Sequence, residues 1–354
     1  MSIRTKLNPL GGRAGGGSFE PMVACTELGN ATWYIDSSGD LYGCGRNDYG
    51  QQGAGNTSDV TSFTKRASNV AYVACSNATT WYITENDDLY GCGQNGYGQQ
   101  GGSSATYFTK RASNVAYVAC SDYTTWYITN NGDLYGCGKG DYGQQSSGDT
   151  NNVYTFTKRA SNVDKVYCNQ SVTWYIDSSG DLYGCGYGGN YQQGGSSSNV
   201  TSFTKRASNV AEFYDGYNSS WYLTNDGELY GCGYNYYGSQ GNGTERTDVY
   251  SFEQKKTNVA KGAMWWGTSC YILRNGSLYI TGYNDRGQQS SGNLTNVLNF
   301  TYRASNVNKI CCSERTTWYI NENNELYGCG ESSYGQQGNG GTSNVLTFTK
   351  RADL

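Results

Sequence analysis

The sequence predicts an all-β protein, a seven-bladed β-propeller of four-stranded antiparallel blades with a short N-terminal arm. Three observations lead there. A motif recurs in seven copies, 45 to 49 residues apart. Each copy divides into four short aromatic or β-branched runs bounded by turn residues, and helical periodicity occurs nowhere. A four-stranded meander repeated radially leaves only short, protected sheet edges, which makes a propeller the economical way to pack such copies.

The motif is read in strand order. The first strand is a Val-Ala-Tyr-Val-Ala-Cys run. The second carries an aromatic pair and an aliphatic residue, as in Trp33-Tyr34-Ile35, Trp81-Tyr82-Ile83, Trp126-Tyr127-Ile128, Trp174-Tyr175-Ile176, Trp221-Tyr222-Leu223 and Trp318-Tyr319-Ile320, with Cys270-Tyr271-Ile272 in the remaining slot. Ser38-Gly39, Asn131-Gly132, Asp226-Gly227 and Asn275-Gly276 supply tight-hairpin chemistry after it. The third strand, Leu-Tyr-Gly-Cys-Gly, always begins eight residues after the Trp slot, at Leu41, Leu89, Leu134, Leu182, Leu229, Leu278 and Leu326. The fourth contains Phe63, Phe108, Phe156, Phe203, Phe252, Phe300 or Phe348, and the first six of these precede the next Trp slot by 18 residues. All length variation, 19 to 23 residues, lies between the third-strand Leu and the Phe, where insertions into surface loops are tolerated. The expected organisation is an arm at 1–20 and a propeller at 21–354, with units at about 21–69, 70–114, 115–162, 163–209, 210–258, 259–306 and 307–354. Two phases are open: each blade is one consecutive unit, or the N-terminal strand completes the last sheet.

Composition narrows the chemistry. The 354 residues include 50 Gly, 34 Tyr, 13 Cys and no His, with a formal net charge of -4. Without histidine there is no Ser-His or Cys-His nucleophile and no ordinary zinc site. No apolar run approaches the roughly 18 residues that span a bilayer, so a soluble chain without membrane insertion is expected. The opening MSIRTKLNPLGGRAGGGSFE has no apolar signal-peptide core, and with an odd cysteine count this points to folding in a reducing compartment. Asn-X-Ser/Thr sequons, as at Asn30, Asn56, Asn77 and Asn242, carry no weight in a chain so rich in these residues.

The string Gly39-Asp40-Leu41-Tyr42-Gly43-Cys44-Gly45-Arg46-Asn47-Asp48-Tyr49-Gly50-Gln51-Gln52-Gly53, with six variants, resembles the repeat of the regulator of chromosome condensation family over roughly residues 21 to 354. The resemblance implies a seven-bladed propeller. This chain departs from the family at Cys75, Cys120, Cys168 and Cys312, which stand where Gly is usual, and at Gln52, Gln100, Gln145 and Gln337, which stand where Leu is usual. The family's nucleotide-exchange activity relies on surface residues with no counterpart identified here, and it is not carried over. Photoreception, known for a plant relative, is not inherited either, because six of the eight Trp occupy one strand slot that reads as core.

Cysteines on the first strand (Cys25, Cys75, Cys120, Cys168, Cys312) and on the third (Cys44, Cys92, Cys137, Cys185, Cys232, Cys329) read as small buried fillers. The intervening strand separates any pair within a unit, and no Cys-x-x-Cys occurs. Lys65-Arg66, Lys110-Arg111, Lys158-Arg159, Lys205-Arg206, Lys255-Lys256, Arg303 and Lys350-Arg351 place 13 of the 25 basic residues on outer strands. Such charge protects sheet edges, and nucleic acid is not an expected partner. The Gly-Gln-Gln-Gly corners, including Gln51, Gln99 and Gln336, offer amides to backbone groups between blades. No cofactor or metal motif is present.

The candidate partner-binding residues are those that break the repeat. Unit 5 has Phe213-Tyr214-Asp215-Gly216-Tyr217 and unit 6 has Met264-Trp265-Trp266-Gly267 where regular units have Val-Ala-Cys and a short turn. Exposed aromatics are preferred anchors for partners, so Tyr214, Asp215, Tyr217, Trp265 and Trp266 are expected to form a binding surface. Diversity after the first strand elsewhere, as at Asp122-Tyr123 and Glu314-Arg315, puts the variable residues on one face. The arm, with Arg4, Lys6 and Arg13 and no acid before Glu20, is expected to be flexible and to dock on another protein. The expected function is a non-catalytic interaction propeller, a structural or attachment component of a bacteriophage virion assembled in a reducing host cytoplasm. The arm would join it to the assembly, and a host surface protein or glycan would meet the variable face. An intracellular regulatory propeller with a cytoplasmic location is the alternative. A glycan-cleaving enzyme built on carboxylates such as Asp215 or Glu314 is a third reading, and no paired carboxylate stands out to support it.

Overall fold

The computed structural model describes residues 22–25, 30–195 and 197–353. All regular structure among them is strand, in seven four-stranded antiparallel sheets. The sheets span 22–67, 70–112, 115–160, 163–207, 210–256, 259–304 and 307–353, and each contains four consecutive strands in meander order. The strand at Met22–Cys25 pairs with Ala31–Ile35 of its own sheet, which decides the phase in favour of consecutive units. The chain divides into two compact units, residues 1–187 with 199–205 and residues 188–198 with 206–354.

Within the first unit, the sheet at 70–112 shows why the repeat folds as it does. Its strands are Val70–Cys75, Thr79–Thr84, Leu89–Gly93 and Ala105–Ala112. Trp81 on the second strand is fully buried, and Gly91 stands opposite it on the third. A Cβ at Gly91 would overlap the indole, so the bare backbone makes room for the ring. The next residue facing Trp81's neighbours, Tyr82, stacks on Tyr90 with centroids 5.0 Å apart. Phe108 of the fourth strand meets Tyr82 edge-on at 4.8 Å and also reaches Trp33 of the preceding sheet at 5.8 Å. One Phe ring thus makes two contacts, one within its own sheet and one with the preceding sheet. Trp81 and Phe156, and Trp126 and Phe203, repeat the arrangement, as do Trp221 and Phe300 in the second unit.

Five of the six slot tryptophans are fully buried, whereas Trp318 is only half-buried. The irregular sheet at 259–304 conserves volume by a paired exchange. Cys270 replaces the Trp, and Ile280 opposite it replaces the Gly, and both are fully buried.

The expected cysteine fillers are borne out on the third strands, where Cys92, Cys137, Cys185, Cys232 and Cys329 are buried. They are polar as well as space-filling: Cys92, Cys137 and Cys185 donate S–H to the backbone carbonyls of Gln51, Gln99 and Gln144 at 3.4, 3.5 and 3.5 Å. Cys44, Cys75, Cys120 and Cys312 are instead half-buried, whereas Cys168 is buried. The outer-strand lysines do not form a free basic rim. Lys65, Lys110, Lys158, Lys205 and Lys350 pair with Asp40, Asp88, Asp133, Asp181 and Glu325 of their own sheets at 2.5 to 2.8 Å. Outer-strand arginines bond loop carbonyls: Arg111 donates to Ser103 O at 2.7 Å and Arg303 to Gln289 O at 2.6 Å.

Candidate functional site

Antiparallel pairing brings two connections to the same end of each sheet. In the sheet at 115–160, Cys120 pairs with Thr125 and Thr124 with Gly138, so the turn at 121–123 lies beside the loop that begins at Lys139. The glutamine corners hold these loops. Gln144 Oε1 accepts the Tyr142 N–H at 2.9 Å while its Nε2 donates to Gln170 O of the following sheet at 3.2 Å. Gln145 Nε2 donates to Cys137 O of its own sheet at 2.9 Å. The expectation that these amides serve backbone groups between blades is met, and a second role appears. The first Gln of each pair also sets the turn that presents the residue two positions before it, as Gln51 does for Tyr49 and Gln288 does for Arg286.

In the second unit this loop end carries a packed set of rings. Tyr237 lies 5.0 Å from Trp266, 4.4 Å from Tyr283 and 4.9 Å from Tyr236, and Trp266 meets Tyr283 at 5.7 Å. Tyr234 stacks parallel to Tyr236 at 5.9 Å, and the Arg246 guanidinium sits 4.8 Å from the Tyr236 centroid. Tyr236 remains 38 % exposed and Tyr217, on the neighbouring turn, 43 %. Two aromatics here hold a left-handed backbone, Tyr217 at φ 73° and Trp266 at φ 35°. Bulky residues rarely adopt that region, and such positions concentrate at functional sites. Burial of the phenol, with the Asp285 carboxylate beside it, pushes Tyr283 up to about 12.

The five residues singled out from sequence have different fates. Trp266 joins the ring set. Tyr217 projects from its turn, which Asp215 shapes by accepting the Tyr217 N–H at 3.1 Å. Trp265 is half-buried at the end of its strand, Val259–Trp265. Tyr214 is half-buried in the framework: its hydroxyl accepts the Gly262 N–H of the following sheet at 3.0 Å, and its ring covers that glycine. Glu314 lies 3.6 Å from Arg315, and its backbone carbonyl accepts from Gln288 Nε2 at 2.9 Å. Arg4, Lys6 and Arg13 lie outside the described residues. Tyr234, Tyr236, Tyr237 and Tyr283 were not anticipated. The available signal was the position directly after each third strand, which reads Arg46, Gln94, Lys139, Tyr187, Tyr234, Tyr283 and Glu331 along the chain and so varies beside a largely regular motif.

In the first unit the same loop end is closed by a cation of the chain itself. Lys139 Nζ lies 5.3, 5.2 and 5.9 Å from the centroids of Tyr97, Tyr123 and Tyr142, and 3.0 Å from Asp141. An ammonium among ring faces is a favourable electrostatic arrangement. The two units thus use equivalent slots differently, one for an internally satisfied lysine and the other for a continuous aromatic set. Among the described residues, no three Cys, Asp or Glu converge to hold a metal ion.

Residues 115–144 match the model of the regulator of chromosome condensation (RCC1) repeat. No curated protein matches the chain in sequence. Among solved structures, Prp20p from Saccharomyces cerevisiae superposes with a TM-score of 0.69 at 15% identity, over 91% of this chain and 88% of that one. Human WBSCR16 gives a TM-score of 0.69 at 17% identity, over 88% and 94% of the respective chains. Yeast RCC1 (Prp20) bound to Kap60 gives 0.67 at 15% identity, over 89% and 84%. Repeat match and architecture agree: the chain carries a regulator of chromosome condensation repeat and has the seven-bladed β-propeller fold of these proteins.

Proposed function

We propose that this chain is a non-catalytic binding propeller that engages a protein partner through the aromatic loop end of the sheets at 210–256 and 259–304. The observation that carries the reading is the Tyr236, Tyr237, Trp266 and Tyr283 set, with exposed Tyr217 beside it, displayed on a framework otherwise uniform from repeat to repeat. Tyr and Trp provide large contact area at low conformational-entropy cost, and Tyr, Ser, Gly and Asn are the residues that recognition loops favour. A binding role also suits the fold, since Prp20p is described with its binding to Gsp1p and histones. Asp215 and Glu314 do not argue for glycan cleavage, because the first shapes its own turn and the second faces an arginine.

The finer reading is a virion component whose arm, through Arg4, Lys6 and Arg13, docks on another protein of the assembly while the aromatic loops meet a host surface protein or glycan. Near-identical repeats and the Tyr/Asn/Gly-rich composition support it. A cytoplasmic regulatory propeller is the competing reading. One experiment addresses both: a photo-crosslinking residue is placed at Tyr236, and in a control at exposed Tyr107, in material from the native source. Adducts confined to position 236 are expected. Equal yields at the two positions would remove the loop end as the binding surface, and a cytosolic adduct protein would favour the regulatory reading over the virion one.

A further inference from the structure

Three slot tryptophans of the first unit share a hydrophobic cluster with the first-strand cysteine of the following sheet: Trp33 with Cys75, Trp81 with Cys120 and Trp126 with Cys168. The sheet at 259–304 breaks the pairing in one way only, since its Trp slot holds Cys270. The following sheet keeps its cysteine, Cys312, and the two share one cluster. A Trp and a Cys sharing one cluster have therefore become two Cys sharing one cluster. Cys270 Sγ lies 3.3 Å from Ala263 O, and Cys312 Sγ lies 4.0 Å from the carbonyl of Thr268, two residues before Cys270 on the same strand. Both cysteines are free.

We propose that Cys270 and Cys312 form a latent disulfide that joins the sheets at 259–304 and 307–353 when the protein meets a small-molecule disulfide oxidant. Cys312 is half-buried and Cys270 fully buried, so Cys312 reacts first. Its thiolate attacks one sulfur of the oxidant, whose S–S bond breaks and whose first half leaves as a thiolate that takes up a proton. The Cys270 thiolate then attacks the Cys312 sulfur of the mixed disulfide. The Cys270–Cys312 bond forms, and the second half leaves and is protonated. Two protein thiols are oxidised by two electrons, and one oxidant disulfide is reduced to two thiols. The Cys270 thiol beside it, and burial, hold the Cys312 thiol well above its ordinary value, so the reaction accelerates as pH rises from about 7 to 9. The link couples the strand that leads to Trp266 and Tyr283 with the turn that carries Glu314 and Arg315.

The test is oxidation of the full chain with oxidised glutathione, followed by peptide mapping without reduction. The expected product links the peptide containing Cys270 to the one containing both Cys311 and Cys312, with fragment ions assigning the bond to Cys312. It survives in C311S, is lost in C270S and C312S, and raises Tm reversibly in the wild type. Three results would overturn the proposal. These are Cys312 bonded to Cys311, Cys312 found only as a glutathione adduct while Cys270 stays reduced, or both thiols unreacted once Cys311 and Cys75 have been converted.

Discussion

At the scale of single residues, the same residue type does opposite work in different slots, and substitution separates the two. Trp126 is fully buried and edge-on to Phe203 at 5.7 Å, so Trp126→Ala removes a large ring from a close-packed cluster. Chemical denaturation should record a loss of about 3–5 kcal/mol. Trp266 is half-buried in the loops, and Trp266→Ala should change stability by no more than about 1 kcal/mol while abolishing the crosslink at position 236. A large stability loss in that variant would mean that Trp266 is structural. Gln144 is a third kind of residue, fully buried and bonded on both sides of its amide. Gln144→Ala strands the carbonyl of Gln170 and the N–H of Tyr142, and should destabilise by about 1–3 kcal/mol.

At the scale of elements, the second strands are buried on both faces, the fourth are largely open to solvent, and the third is the most constrained. Gly91 must admit an indole, and Gly93 holds φ at +110° where a Cβ would overlap the Ala78 carbonyl. Gly91→Ala should cost about 1–3 kcal/mol by overpacking alone, read as a shift in urea midpoint at constant m-value. The fourth strand is tolerant by comparison. Lys110 and Asp88 make an exposed ion pair at 2.8 Å, and their joint replacement by Ala should leave the midpoint unchanged within error. A clear loss would show that the outer-strand charges carry more of the fold than an exposed pair ordinarily does.

At the scale of the whole molecule, the absence of histidine leaves no side chain that ordinarily titrates between about pH 5 and 8, so Tm should be flat there. Stability should fail on both sides for distinct reasons. Hydrogen bonds from Lys65, Lys110 and Lys158 hold Asp40, Asp88 and Asp133 below their ordinary value. Their contribution is present above about pH 4 and lost as pH falls through the depressed values. On the alkaline side, burial pushes Tyr127, Tyr222, Tyr319 and Cys329 up to about 12. The unfolded chain releases these protons from about pH 9 to 10 and the folded chain keeps them, so stability is full below that range and lost as pH rises toward 12. A thermal scan series from pH 3 to 11 checks the profile, and a transition near pH 6.5 would contradict it.

Period, strand number and slot spacings were legible in the sequence because close packing forces them: a Trp needs its Gly opposite, a Phe must reach two sheets at once, and a Gln must reach the next backbone. Each such requirement recurs in copy after copy, and repetition makes it visible. The candidate site was legible only in part. Trp266 and Tyr217 stood out because they break the pattern, whereas Tyr234, Tyr236, Tyr237 and Tyr283 lay hidden inside it, at positions that look like ordinary turn residues of a regular repeat. Tyr214 stood out equally and proved to be a packing residue. Which aromatic meets another depends on contacts between residues some 30 to 50 positions apart, as for Tyr237, Trp266 and Tyr283 or for Cys270 and Cys312. The sequence alone therefore determined the architecture, whose constraints are local and repeated. Only the tertiary structure decided the ring set, the caged Lys139 and the facing thiols, because those arise where one sheet's loop or strand is placed against the next.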